Sequence, residues 1–138
     1  MPKLVRFGVS IEDNLIKKFD SLIEKKNYSN RSEAIRDLIR KNLVDEEWAK
    51  DGEVACGIIM VYDHHKRELV NKLLDIQHDY TGIIISTQHV HLDHDNCLEI
   101  VAVKGNAKQA AELADKLSSL KGVKHCSVAK TAVGHALE

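Results

Sequence analysis

The opening stretch of the chain limits the fold more than any other. In Leu4–Ile11 the apolar residues Val5, Phe7, Val9 and Ile11 alternate with Arg6, Gly8 and Ser10, so a strand here sends the two sets to opposite faces. No second strand follows before residue 54. Instead Leu15, Ile16, Phe19, Leu22 and Ile23 form an apolar stripe at helical spacing, which predicts a helix from about Asp13 to Lys26. Asn27-Tyr28-Ser29 interrupts it. Asn30-Arg31-Ser32-Glu33 then reads as a new helix start, with Asn30 as the N-cap and Glu33 three residues on. Ala34, Ile35, Leu38, Ile39, Leu43 and Val44 carry the second stripe toward Lys50. One strand and two helices cannot bury a sufficient core alone, and a lone strand leaves its backbone groups unpaired. The economical solution is a twofold dimer in which the same strand of two chains pairs antiparallel.

That arrangement is the ribbon-helix-helix (βαα) fold, whose two-stranded ribbon enters the DNA major groove. Arg6, Gly8 and Ser10 would face the bases, where Arg can bond guanine in bidentate fashion and Ser can bond several base edges. Ser29, Asn30 and Arg31, at the start of the second helix, would offer free N–H groups to a phosphate. Charge agrees modestly. The whole chain carries a net charge of -1, but residues 1–41 hold ten Lys/Arg against six Asp/Glu. The plainer alternative is a strand-helix-helix cap whose polar face is merely wet.

The rest of the chain runs strand, helix, strand, strand, helix, strand. Strands are predicted at Val54–Asp63, Gly82–His91, Cys97–Lys104 and Val123–Thr131, with helices at about Lys66–Asp79 and Ala107–Leu120. Asn106 fits an N-cap and Gly122 a helix stop. The βαββαβ order is that of a ferredoxin-like split fold. The fold class expected is therefore α+β, with a DNA-binding domain over 1–50 and a βαββαβ domain over 51–138. The end of the chain from Gly134 reads as a loose tail with a solvent-exposed His135.

Within the second domain, Gln88-His89-Val90-His91-Leu92-Asp93-His94-Asp95-Asn96-Cys97 carries the chemistry. Residues two apart on a strand share a face, which sets His89 beside His91. Asp93, Asp95 and Asn96 are turn formers. If Leu92 pairs with Asn96, His91 lies opposite Cys97 and His89 opposite Glu99. Two imidazoles and a thiolate then converge, three-quarters of a metal site; the plain alternative is a polar edge hairpin with a buried cysteine. His78, at a helix end, is the best fourth ligand, and a second subunit could supply it. Three nitrogens and one sulfur suit Ni(II), Cu(II) or Zn(II), and geometry would decide among them. Glu99 is placed to orient an imidazole.

No apolar run approaches the roughly 20 residues that a membrane-crossing helix needs, and the N-terminus has no apolar signal core. Three widely spaced cysteines make no disulfide framework and fit a reducing compartment, so a cytoplasmic protein is expected.

These residues resemble a known family over almost the full chain. Arg6-Phe7-Gly8-Val9-Ser10, Asn30-Arg31-Ser32-Glu33-Ala34-Ile35-Arg36-Asp37, Gln77-His78, His89-Val90-His91, Asn96-Cys97-Leu98-Glu99 and Val103-Lys104-Gly105 are similar to the nickel-responsive transcriptional regulators, the NikR family. The resemblance implies a homotetramer, a dimer of dimers with central ACT-like domains and a ribbon-helix-helix dimer at each end. It implies Ni(II) held in square-planar geometry by His89, His91 and Cys97 of one subunit and His78 of another, with Gln77 and Glu99 supporting those ligands. It implies nickel-dependent binding to double-stranded operator DNA with two half-sites, and repression of nickel-uptake genes. Arg6, Gly8 and Ser10 match base-reading positions; many members carry a hydroxyl residue in place of Gly8. Lys66 and Arg67 match a loop that touches the DNA backbone in the metal-bound form. Glu33 and Asp37 match carboxylates that hold a second cation, such as K+, at the interdomain contact. His64 and His65 lie in a segment linked to weaker extra metal sites. Cys56 and Cys126 read as buried core thiols.

Three rivals differ in class. A copper- or zinc-responsive regulator could use the same scaffold. An ACT-like regulator could bind an amino-acid effector, with metal incidental. An enzyme with Cys97 as nucleophile and His91 as base would need an orienting group and an oxyanion site. No residues specifically supply these, so the chain is expected not to be an enzyme.

Overall fold

Alternation of apolar and polar residues after Gly52 produces a four-stranded sheet, and helical stripes between the strands cover one of its faces. The computed structural model describes residues 2–138. Its elements are α1 (Asp13–Lys25), α2 (Arg31–Ala49), β1 (Glu53–Asp63), α3 (Arg67–Asp79), β2 (Ile84–His91), β3 (Asn96–Asn106), α4 (Ala107–Ser118) and β4 (Val123–Ala132), followed by a 3-10 turn at Gly134–Leu137. The sheet order is β2-β3-β1-β4, and every neighbouring pair is antiparallel. This is the α+β, βαββαβ architecture expected from the sequence. Val54, Ile58 and Met60 of β1, Val101 of β3, Leu73 of α3 and Leu113 of α4 meet in one core, all almost fully buried.

Helix starts follow the predicted chemistry. The Asn30 side chain accepts from the Glu33 backbone N–H at 3.0 Å, and Asn106 accepts from Gln109 N–H at 3.2 Å. Glu33 does not return the bond to Asn30; it pairs with Arg36 instead. Gly122 has φ +105°, the left-handed conformation that lets the chain leave α4 and enter β4.

Two expectations fail. Residues 2–12 form no strand, and Val5, Phe7, Val9 and Ile11 lie exposed, Phe7 at 71%. The alternation is real, but a strand exists only through hydrogen bonds to a neighbour, and the described residues of one chain contain none for it. The tail is not loose either. Its 3-10 turn lies against α2, where Arg40 Nε donates to the Leu137 carbonyl at 3.4 Å. His135 is exposed, as expected.

The end of α2 rests on the sheet. Trp48 Nε1 donates to the Thr131 carbonyl at 2.9 Å, and Lys130 Nζ lies 4.9 Å from the centre of the Trp48 ring. Between α2 and β1 the chain turns at Asp51, with φ +60°. The Asp51 carboxylate accepts from the Lys108 backbone N–H at 2.7 Å, in the first turn of α4. The Asn106 side chain and then this N–H hold the Asp51 carboxyl below its usual range. A carboxyl depressed by folding contributes stability above its unfolded value of about 3.9, and loses it as pH falls through the lower folded value. Asp51→Ala should therefore lower Tm at about pH 7 and lower it less at about pH 3. Equal losses at both pH values in thermal melts would refute a role for the charge.

Candidate metal centre

The β2–β3 hairpin fixes the candidate ligands by register. His91 lies opposite Cys97, His89 opposite Glu99, and Leu92 N–H donates to the Asn96 carbonyl at 3.0 Å. The turn is held by Asp93, whose Oδ1 accepts from the Asp95 and Asn96 backbone N–H groups at 2.9 and 2.8 Å. The Asn96 side chain adds further bonds and is the first cause that lowers the Asp93 carboxyl. Cys97, Glu99, Val101 and Val103 are the buried residues of β3, so His89 and His91 share the helix-covered face with them. They sit on the outer strand, beyond the reach of α3 and α4, and remain exposed.

Cys97 Sγ lies 4.0 Å from His89 Nδ1. His91 is turned toward the β1–α3 loop, its ring 5.0 Å from that of His64 and edge-on to it. His78 is exposed in the last turn of α3. Among these four residues no three present donor atoms within 4.8 Å of one another. One chain thus brings a thiol and an imidazole together and leaves two imidazoles apart. The donor types, nitrogen and sulfur, fit a borderline transition ion and do not fit calcium or magnesium.

Behind the hairpin sits Glu99, the one charged side chain buried among the described residues, at 2% exposure. Its two oxygens accept from Tyr62 OH at 2.5 Å and Gln77 Nε2 at 2.7 Å, and Oε1 lies 3.6 Å from His89 Nε2. Burial first, and then the bond to Glu99, push the Tyr62 hydroxyl far above its usual value, so it stays a donor. No buried side-chain nitrogen or oxygen among the described residues lacks a partner. Tyr62 was missed in the sequence. The signal was there: alternation places Tyr62 inward on β1, and an inward tyrosine needs a partner for its hydroxyl.

The remaining candidates are placed as follows. Arg6, Gly8, Ser10, Ser29, Asn30, Lys66 and Arg67 are exposed. Arg31 is exposed too, but Asp20 clasps it with two bonds of 2.8 Å. Asp37 accepts from Tyr28 OH and lies 3.1 Å from Lys41 Nζ, and the Tyr28 bond is the first cause that lowers its carboxyl. Each of the two expected second-cation acids, Glu33 and Asp37, thus already has an internal partner. Cys56 is buried and Cys126 partly so; burial raises both thiols.

Comparison with known proteins settles the lineage. Residues 55–131 match the family described as the NikR C-terminal nickel-binding domain. The chain belongs to the NikR family. Residues 5–46 match the ribbon-helix-helix protein, CopG family, so the NikR domain follows a DNA-binding fold, and neither is an enzyme family. A NikR relative from Syntrophus aciditrophicus, provisionally named a nickel-responsive regulator, is 57% identical over 97% of this chain and 98% of its own length. One from Chlorobium phaeobacteroides, with the same provisional name, is 59% identical over 93% of this chain and 96% of its own. A third, from Thermococcus kodakarensis, is 54% identical over 98% of this chain and 99% of its own length. Among solved structures, an uncharacterized protein of Thermotoga maritima superposes with TM-score 0.52 at 11% identity, over 56% of this chain and 96% of that one. That likeness speaks to the fold of the NikR domain alone. No helix among the described residues is long and apolar enough to cross a membrane.

Proposed function

We propose that this protein is a nickel-responsive DNA-binding regulator, a Ni(II)-dependent repressor of nickel-uptake genes. The observation that carries the proposal is the hairpin register, which sets His91 against Cys97 and Cys97 Sγ 4.0 Å from His89 Nδ1, in a chain of the NikR family. His89, His91 and Cys97 of one subunit and His78 of another would hold the ion. When bound, nickel supplies a link between nitrogen and sulfur donors on separate elements. Glu99 orients His89, and through Gln77 it ties the end of α3 that carries His78 to the same hairpin.

Two apolar surfaces support a dimer-of-dimers tetramer. Val5, Phe7, Val9 and Ile11 lie uncovered, as a strand awaiting its copy would. The sheet face away from α3 and α4 carries Ile59, Val61, Ile100, Leu98 and Val90 in neighbouring register positions, and no element among the described residues covers it. We divide the chain into a DNA-binding domain over 1–50 and a metal-binding, tetramer-forming domain over 51–138. Arg6, Gly8 and Ser10 would read bases in operator DNA with two half-sites, while Ser29, Asn30, Arg31, Lys66 and Arg67 would meet phosphates. Arg31 would reach one only by leaving Asp20. A K+ ion between Glu33 and Asp37 would likewise have to displace Arg36 and Lys41. A reducing cytoplasm suits three free thiols.

The test is operator affinity at fixed salt with and without Ni(II). Nickel should tighten binding by the roughly 5- to 150-fold typical of allosteric coupling. Arg6→Ala should cost about 1–3 kcal/mol of operator discrimination and leave nickel binding unchanged. Equal affinity with and without the ion would end the proposal. A stronger response to Zn(II) or Cu(II) would transfer it to another metal.

A further inference from the structure

The tail of the chain belongs to neither the DNA-binding half nor the sheet, yet it bonds one to the other. β4 ends at Ala132, beside Val54 at the start of β1, and the chain then folds into the 3-10 turn Gly134–Leu137 against α2. Ala136 N–H closes that turn on the Val133 carbonyl at 3.0 Å, and Ala136 and Leu137 are half-buried. Arg40 Nε of α2 donates to the Leu137 carbonyl at 3.4 Å. We propose that the tail from Val133 onward is an autoinhibitory strap. It holds α2, and with it the DNA-binding half, in one orientation that is given up when a duplex is bound. The proposal rests on the reading of residues 1–50 as the DNA-binding half.

The geometry gives the strap leverage. The Gly52 carbonyl accepts from Ala107 N–H at 3.0 Å and the Asp51 carboxylate from Lys108 N–H at 2.7 Å, so the α2–β1 junction is the fixed point about which α2 would turn. Trp48 stands next to this junction and donates to the Thr131 carbonyl. Arg40 lies ten residues before Lys50, about 15 Å along the helix axis. A given swing of α2 displaces Arg40 far more than Lys50, so a bond at Arg40 resists the swing best.

All these anchors sit at one end of the sheet. The Lys66–Arg67 loop leaves the other end of β1, whose 11 residues span about 33 Å. Within one chain the strap thus keeps the DNA-binding half remote from the second group of phosphate-binding candidates. The duplex dictates the orientation that both must adopt, because its helical repeat sets the half-site spacing. Bringing them against one duplex requires α2 to swing, and the swing breaks the bond between Arg40 and Leu137.

The test compares the full-length protein with a deletion of residues 134–138, with Arg40→Ala and with Glu138→Gln. Each is loaded with Ni(II), and its affinity is measured at fixed salt for the duplex that the native protein selects from a random pool. The deletion and Arg40→Ala should each bind about 2- to 10-fold more tightly, the worth of one neutral hydrogen bond. Loss of a cation by itself weakens DNA binding, so tighter binding by Arg40→Ala has no electrostatic explanation. Glu138→Gln removes the acidic side chain lost in the deletion but keeps the strap, and should bind as the native protein does. Trp48 is the single tryptophan of the chain, so its emission reports on the junction. Without any duplex, acrylamide should quench it more strongly in the deletion and in Arg40→Ala than in the native protein. Unchanged or weaker duplex affinity in both, unchanged quenching in both, or an equal gain in Glu138→Gln overturns the proposal. Thermal melts check the fold of each variant, and Arg40→Ala decides the comparison if the deletion melts early. A native protein that selects no duplex would count against the DNA-binding reading, while the quenching still shows whether the strap holds α2.

Discussion

Cys97→Ala should abolish tight nickel binding and leave the fold standing. Cys97 supplies the one sulfur among the four candidate ligands, buried at the start of β3 with Sγ beside His89 Nδ1. Without it only imidazoles remain, and the loss should exceed the 10- to 100-fold that outer-shell residues typically cost. The fold should survive, because replacing one sulfur by hydrogen at this site costs on the order of 1 kcal/mol. Cys56→Ala and Cys126→Ala should leave nickel affinity intact. Burial raises both thiols and keeps them protonated, and a protonated thiol is a poor ligand. The thiolate requirement also sets a direction for pH: nickel uptake at Cys97 should fall as the solution is acidified. Loss of the sulfur-to-nickel absorption in Cys97→Ala, with unchanged circular dichroism, is the result to look for. Tight binding with that absorption intact would remove Cys97 from the centre.

The pattern of success and failure in the sequence reading follows the range of the interactions involved. The Asn30 and Asn106 caps bond to a backbone three residues away, so the local sequence contains both partners. The hairpin register is equally local, since the Asp93–Asn96 turn determines which residue faces His91. Leu4–Ile11 is different. Its period-two pattern specifies a strand, yet the described residues of this chain offer no neighbouring strand to bond it, and the segment stays unpaired. His78 does not join a three-donor cluster with the hairpin residues either, because spacing along the sequence does not say where a helix end will lie relative to a hairpin. The tail at Gly134–Leu137 and the Trp48–Thr131 bond depend on surfaces built from distant elements, and neither has a local signature. The Arg31–Asp20 clasp joins two helices at their exposed faces, where charge patterning alone allows many pairings.

Glu99→Ala should damage stability and nickel affinity together, by separable routes. The carboxylate is buried and accepts from Tyr62 OH and Gln77 Nε2, so its removal strands two donors. An unsatisfied buried donor costs about 1–3 kcal/mol, and an apolar cavity adds to this. The ligand effect is indirect: Glu99 Oε1 lies 3.6 Å from His89 Nε2 and leaves Nδ1 facing Cys97, so losing it frees the imidazole to rotate. A 10- to 100-fold drop in nickel affinity is the expected scale. Tyr62→Phe separates the two routes. It removes one donor and keeps the carboxylate beside His89, so it should lower Tm with little change in nickel binding. Glu99→Gln preserves the volume, but its amide nitrogen must point at Tyr62, Gln77 or His89, two of which already donate. It should therefore bind nickel less well than Tyr62→Phe even at matched stability. Calorimetric affinities set against thermal melts across the three variants provide the measurement. If nickel affinity merely tracked Tm, Glu99 would be a packing residue; if Glu99→Ala bound nickel as the parent does, His89 would need no orienting partner.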